Sequence, residues 1–261
     1  PTTVFADPQP FVHFATVPAV SGFREAFIRH VVASMPRFAK PFRIVDIGCG
    51  AGAIVIALLK KLRAKGKVKE IGEILLIDRS PGMLKVARDA VAKEFPGVKL
   101  SLMEAAIENV ASKVEGHWDV MLNSLSYHHL TLEQKRVGLE RLREHADHFV
   151  YCELDAAHDT PELHAPELSY SVYQSYGRLI DLTFAHDAPV ELALAAVDNL
   201  LMTEAVSLLI EPRGKRNDYH MLKSEWQDLL DDVLGPSFAC LCDSACHSDD
   251  YFSFFTLHYG R

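Results

Sequence analysis

The sequence predicts an α/β fold in which a mostly parallel sheet is covered by helices on both faces. Two observations carry this expectation. Short apolar runs at residues 42–47, 74–77, 98–103, 118–122 and 148–154 alternate with longer stretches of helical apolar spacing, as expected of parallel strands joined by helical crossovers. At the end of the chain, residues 238–242 and 251–259 are strand-like and are separated by the short polar segment SACHSDD, so they form a hairpin and run antiparallel.

In chain order, a first helix starts at Ser21, whose hydroxyl can cap it, and buries Phe23, Phe27, Ile28 and Val31. The strand at 42–47 runs into a set of glycines and then a helix over 52–65. After the strand at 74–77, Ser80 and Pro81 supply a cap residue and a first-turn proline for the next helix. Thr131 and Gln134 have the spacing of a capping box, so a helix covers 132–144. Beyond the fifth strand the alternation breaks. Residues 156–222 hold a His/Pro-rich loop and two helical patterns, 171–184 and 190–210; in the second, Val190, Leu194, Val197, Leu201, Ala205 and Leu208 fall on one face. This insertion follows a strand's carboxyl end, where such sheets bind ligands. It is either a lid over a pocket or a helix pair that holds a dimer together. Residues 1–40 form a helical cap on a single domain spanning 1–261.

The composition narrows the function classes. Of 261 residues 49% are apolar, enough to bury the core of one large domain, while a mean hydropathy of +0.04 and no unbroken apolar run of spanning length argue against a membrane protein. The start, PTTVFADPQPF, has no basic residues and no continuous apolar stretch, so no secretory signal is read and a cytoplasmic location is expected. A net charge of -8, with no long basic block outside the cluster from Lys60 to Lys69, disfavours a nucleic-acid surface. Five cysteines, an odd number, are expected to be free thiols. Cys240, Cys242, Cys246 and His247 invite a zinc reading, but they do not form two separated ligand pairs; buried thiols are expected instead, and no metal site.

The stretch IVDIGCGAG, Ile44 to Gly52, places three glycines between a strand and a helix. Glycine lets the backbone pass close to a ligand, and the helix start beyond it offers free N–H groups. Asp46 precedes the loop, and Asp78 ends the next strand in ILLIDRS, where it can accept both hydroxyls of a ribose. The G-x-G-x-x-G spacing of dinucleotide sites is not met, and no G-K-[ST] follows, which excludes a nucleoside triphosphate cradle. With no pyrophosphate to hold, an acid beside the glycines suits a ligand with a cationic amine.

VDIGCGAG, then LLIDRSPGML, LMEAA and WDVMLNSLSYHHL, in that order, resemble the motif set of the class I S-adenosylmethionine-dependent methyltransferases, over roughly residues 11–150 plus the terminal hairpin. The resemblance implies a Rossmann-like, doubly wound seven-stranded sheet with an antiparallel last strand, and S-adenosyl-L-methionine as cofactor. It implies that Asp46, Gly48, Cys49, Gly50 and Gly52 surround the methionine portion, Asp78 the ribose, Arg79, Met83, Glu104 and Ala105 the adenine, and Asn123 the sulfonium. Glu104 stands where the family often has aspartate.

Methyl transfer is an in-line displacement that gains from positioning and exclusion of water, and it needs a base only for a weakly acidic or protonated acceptor. NSLSYHHL resembles the version of this motif found in small-molecule enzymes, and the N-P-P-Y of nucleobase amino-methylating enzymes is missing. Tyr127 and His128 are the catalytic candidates, with His128 as a base; alternatively the His pair packs under the next helix. Tyr173, Tyr176, Arg216, Tyr219 and His220 are candidate substrate contacts, the tyrosines being otherwise core and the RNDYH cluster otherwise a helix cap. Glu153, Asp155 and His158 can reach the same mouth, and His13, Phe14 and Arg24 can fold over the cofactor. The expected activity is methyl transfer to a small molecule, with no membrane partner and a homodimer as the possible assembly. The alternatives are an RNA- or protein-directed methyltransferase and a non-catalytic cofactor-binding subunit.

Overall fold

The structure, a computed structural model, describes residues 9–186 and 189–261. Residues 1–8 of the expected cap and 187–188 of the insertion lie outside the described residues. The elements run α1 (Gln9–Phe14), α2 (Pro18–Ser34), β1 (Phe42–Ile47), α3 (Ala53–Ala64), β2 (Ile71–Asp78), α4 (Pro81–Glu94), β3 (Lys99–Glu104), β4 (Trp118–Ser124), α5 (Leu132–Leu142) and β5 (Ala146–Asp155). They continue with α6 (Pro166–Ala185), α7 (Val190–Ala196), α8 (Met202–Ile210), α9 (Lys223–Leu234), β6 (Ala239–Ser248) and β7 (Ser253–Gly260).

The strands form one seven-stranded sheet in the order β3-β2-β1-β4-β5-β7-β6. β1 to β5 pair in parallel and β7 is antiparallel to both its neighbours, as the hairpin pattern requires. β1 is central, so five of its six side chains are buried, which is why it reads as a continuous apolar run. Its alternate residues serve two cores. Phe42 and Ile44 pack with α2, α3, α4 and the insertion, whereas Val45 and Ile47 pack with α5 and α9. The chain leaves β1 toward β2 on one side and returns through β4 on the other, so the carboxyl end of β1 is the switch point where ligands bind.

Local signals hold where they rest on hydrogen bonds the chain can make at once. The Ser80 hydroxyl accepts the Met83 N–H (3.2 Å), and Thr131 and Gln134 form the reciprocal box. Several expectations are corrected. α2 begins at Pro18, whose fixed φ suits the first turn, and Ser21 lies inside the helix with its hydroxyl donating to Pro18 O (3.2 Å). The segment SACHSDD is mostly strand, since β6 continues to Ser248 and the turn is held by Asp249 Oδ1, which accepts the N–H groups of Tyr251 (2.8 Å) and Phe252 (3.0 Å). β6 is an edge strand with one side in solvent, so its polar composition imitates a turn. For the same reason Cys240 is exposed and Cys242 and Cys246 are half-buried, while Cys49 and Cys152 are buried; all five thiols are free.

The insertion behaves differently from its sequence in a third respect. A π turn at Val197–Leu201 joins α7 to α8 and shifts the phase of the buried face. Val197, Leu201, Ala205 and Leu208 are buried as expected, but Val190 and Leu194 are exposed, and Ala193 and Ala196 take their places. The continuous helix Val190–Ile210 has the length and apolar composition to cross a membrane, the one such helix among the described residues and contrary to the expectation that no segment qualifies. One of its faces packs against α1 and α6.

Candidate functional site

At the carboxyl end of β1 the backbone turns through Gly48, Gly50 and Gly52, all at positive φ. Gly48 N–H and Cys49 N–H both donate to Ile77 O, which folds the loop back over β2. Asp78, the last residue of β2, closes it: Oδ2 accepts the Gly50 N–H (2.9 Å) and Oδ1 the Ser80 N–H (2.8 Å). Gly48 allows the closest approach, because a Cβ there would collide with the Cβ and Oγ of Ser126. Phe11 of α1 covers Gly50 from the other side.

A cavity of about 730 Å³ opens over this loop, a size typical of ligand sites (~300–1,000 Å³). Gly48, Gly50, Asp78, Arg79, Met83 and Ala105 line one end of it. Among the other residues expected at the cofactor, Asp46 and Asn123 are buried just behind the loop, and Cys49, Gly52 and Glu104 also lie outside the lining. Two of these leave polar atoms unsatisfied: Asp46 Oδ2 and Asn123 Nδ2 are buried without a partner. Burial, with Asp78 nearby, pushes Asp46 up to about 8. Burial also raises Asp78, against the two N–H groups it accepts. A cationic ligand placed over the loop would relieve both acids, and glycines with no room for side chains give it space. The residues therefore fit the cofactor that the sequence implies.

The far end of the cavity is polar and is built by four separate segments. After β4 the chain turns sharply at Leu125, whose φ of 53° is rare for a residue with a side chain. A 3-10 turn at Tyr127–His129 then sends adjacent residues to opposite sides. Tyr127 is buried away from this cavity against Tyr151 and Trp226, with ring centroids at 5.6 and 6.4 Å. His128 and His129 line the cavity. Glu153 of β5 anchors the turn: Oε1 accepts the N–H groups of Ser126 (3.2 Å) and Tyr127 (3.0 Å), and Oε2 lies 2.9 Å from His128 Nδ1. On its other side His128 Nε2 is 3.6 Å from Asp218 Oδ1, and His129 Nδ1 is 3.0 Å from the same oxygen. Burial works to lower His129, but Asp218 outweighs it and the imidazole is pushed up to about 9.

The RNDYH loop supplies the third segment. Tyr219 N–H donates to His128 O, and His220 stacks on His128 with centroids 4.3 Å apart. Arg216 lines the cavity but spends its guanidinium on the backbone oxygens of Glu211, His158 and Pro161, so it holds the loop together. Helices of the segment after β5 line the fourth side. Tyr176 of α6 donates its hydroxyl to Glu204 Oε2 (3.1 Å), and Leu200, Leu201 and Glu204 face inward. Burial and the neighbouring Asp218 hold Glu204 well above the usual carboxylate range. Tyr173 does not join Tyr176: the buried seam of α6 runs through Val172, Tyr176 and Leu179, and Tyr173 falls outside it, 71% exposed.

Several lining residues escape a reading of the sequence. Ser126 is hidden inside the histidine motif. Glu204 had a usable signal, a carboxylate one turn from Leu200, Leu201 and Leu208 on an otherwise apolar face. Phe14 lines the cavity as expected, while His13 stacks on His186 at the outer end of α1.

A sheet in this order, with a glycine loop after β1 and a carboxylate closing β2, defines the class I methyltransferase fold. Residues 44–147 match the family described as methyltransferase domain. No curated protein sequence matches the chain. Among solved structures it is similar to magnesium protoporphyrin IX methyltransferase from Synechocystis PCC 6803 with bound S-adenosylhomocysteine, at 14% identity and a TM-score of 0.56 over 96% of this chain and 93% of that one. The plantazolicin methyltransferase BpumL, also bound to S-adenosylhomocysteine, gives 15% and 0.58 over 99% and 93%. SCL7 of Oryza sativa gives 16% and 0.69 over 96% and 82%. At these identities the likeness concerns the fold.

Proposed function

We propose that the chain transfers a methyl group to a small-molecule acceptor seated between the glycine loop and the histidine cluster. The observation that carries this reading is one continuous cavity, roofed by α6 and α8, that reaches from Gly48 and Asp78 to His128 and His220. A roofed site suits a metabolite better than a polymer, and the net charge of -8 offers little to a phosphate backbone. When bound, the cofactor supplies a methyl group on a positively charged sulfur. Gly48, Gly50, Asp78, Arg79, Met83 and Ala105 are the contacts we assign to it, with Asp46 acting from behind the loop. Tyr176, Tyr219 and His220 are assigned to the acceptor.

His128 handles the acceptor's proton. Its Nδ1 faces Glu153, which fixes the ring and leaves Nε2 toward Asp218 and the cavity. Five free thiols, one of them exposed, support a reducing compartment such as the cytoplasm. The test is incubation of the chain with methyl-labelled cofactor and fractionated cell extract. Label is expected in the small-molecule fraction, and label confined to RNA or protein would overturn the proposal.

A further inference from the structure

We propose that His128, His129 and Asp218 form a binding site for one divalent transition-metal ion, of the zinc or iron(II) kind, at the acceptor end of the cavity. The inference rests on the reading of that end as the acceptor site; with the ion bound, His128 acts on the acceptor's proton through the metal and not as a free base.

The three donor atoms lie within 4.8 Å of one another. Ligands about 2.1 Å from one ion stand about 3.0 to 3.4 Å apart between right-angle and tetrahedral geometry. Asp218 Oδ1 lies 3.0 Å from His129 Nδ1 and 3.6 Å from His128 Nε2, close to that spacing before any adjustment. Asp218 is fully buried, and neither carboxylate oxygen accepts a hydrogen bond. A buried carboxylate so placed needs a cation, and the ion would take the place of the proton that His129 holds against it. His128 is already oriented as a metal ligand would be, with its remote nitrogen 2.9 Å from Glu153, itself fixed by two backbone N–H groups. A carboxylate behind a ligating histidine is a recurrent support of metal sites. A second set, His128, Glu153 and His220, lies as close together, but it shares His128, and both Glu153 oxygens are engaged, Oε1 by two backbone N–H groups and Oε2 by His128 Nδ1. His129 Nδ1 is 3.0 Å from Asn217 O and gives up that bond when it ligates the ion.

Two imidazoles and one carboxylate leave open positions on the ion toward the cavity, the donor set of catalytic zinc and non-haem iron sites. An acceptor hydroxyl or thiol that binds there loses its proton to water more readily. The anion then attacks the methyl carbon; the new bond forms as the carbon–sulfur bond breaks, and the sulfonium becomes a neutral thioether.

The test uses the full chain without a histidine tag, treated with chelator and titrated with cobalt(II) by calorimetry and visible absorption. Expected are one ion per chain with ligand-field bands of a nitrogen and oxygen site, and affinity about 10–100-fold lower in Asp218→Asn, His129→Gln and Glu153→Gln. Binding of S-adenosylhomocysteine to each variant reports folding and the cofactor site separately. Absence of cobalt binding in a chain that binds S-adenosylhomocysteine overturns the metal site alone, as does affinity unchanged in Asp218→Asn or lost only in Cys240→Ser.

Discussion

Glu153 Oε2 lies 2.9 Å from His128 Nδ1, while Oε1 of the same carboxylate receives the N–H groups of Ser126 and Tyr127. One buried side chain on β5 therefore shapes the turn after β4 and sets the tautomer of its histidine. In Glu153→Gln the amide oxygen can keep the two backbone donors, but its NH2 then points at Nδ1 and forces the ring proton onto Nε2. The fold should survive with a loss of about 1–3 kcal/mol. Turnover should fall at least ~100-fold, as expected when a catalytic imidazole is held in the wrong tautomer. Steady-state kinetics beside S-adenosylhomocysteine calorimetry checks this, and a variant with unimpaired turnover would remove Glu153 and His128 from the chemistry.

Asp78 has two tasks that one substitution separates from folding. It receives the Gly50 and Ser80 N–H groups, and it faces the cavity. Charge-assisted hydrogen bonds are worth about 1.5–3 kcal/mol each. Asp78→Ala should therefore weaken S-adenosylmethionine and S-adenosylhomocysteine alike by ~10–100-fold, and Asp78→Asn by less. Calorimetry on both ligands decides, and equal affinity in wild type and Asp78→Ala would discredit the ribose assignment.

Gly48→Ala should damage the loop through sterics alone. The backbone there has a φ of +72°, and a Cβ would overlap Ser126. The left-handed conformation costs a residue with a side chain about 1–2 kcal/mol, before the clash is counted. A lower melting temperature with loss of S-adenosylhomocysteine binding is expected. The double variant Gly48→Ala, Ser126→Gly should recover part of both, because it removes the atoms that collide.

These residues also mark how far the sequence could be read. Gly48, Gly50 and Asp78 were legible because a strand, a tight turn and a helix start are contiguous, and local backbone chemistry dictates glycine there. The seven strands were legible as apolar runs, except where β6 at the sheet's edge is polar enough to read as a turn. The phase of α7 was lost because a single π turn at Val197–Leu201 cannot be seen in apolar spacing. The acceptor end was visible as residue types but not as geometry. Asp218 meets His128 across 90 positions, and neighbouring Tyr127 points away because one step of a 3-10 turn rotates the side chain by about 120°. Such contacts depend on tertiary placement that no local pattern encodes.

Acid should destabilise the chain through a pair of histidines remote from the cavity. His258 of β7 lies with Nε2 3.0 Å from His148 Nδ1 and Nδ1 2.7 Å from Ser34 Oγ. Burial, with His148 and Lys67 nearby, lowers His258 to about 3; burial also lowers His148, against Asp147 and Asp119. Both are therefore neutral in the fold near neutral pH. Below the unfolded value of 6.5 the unfolded chain binds protons that the folded chain refuses, so unfolding becomes easier as pH falls toward about 3. Their contribution is fully present above 6.5 and is lost on the acid side. At pH 5 one such group costs about 2 kcal/mol of stability relative to pH 7.5. Urea unfolding of wild type and His258→Gln at both pH values measures it. The variant should lose less stability on acidification, by roughly that amount, and an identical pH dependence in the two proteins would show that His258 takes up its proton without unfolding.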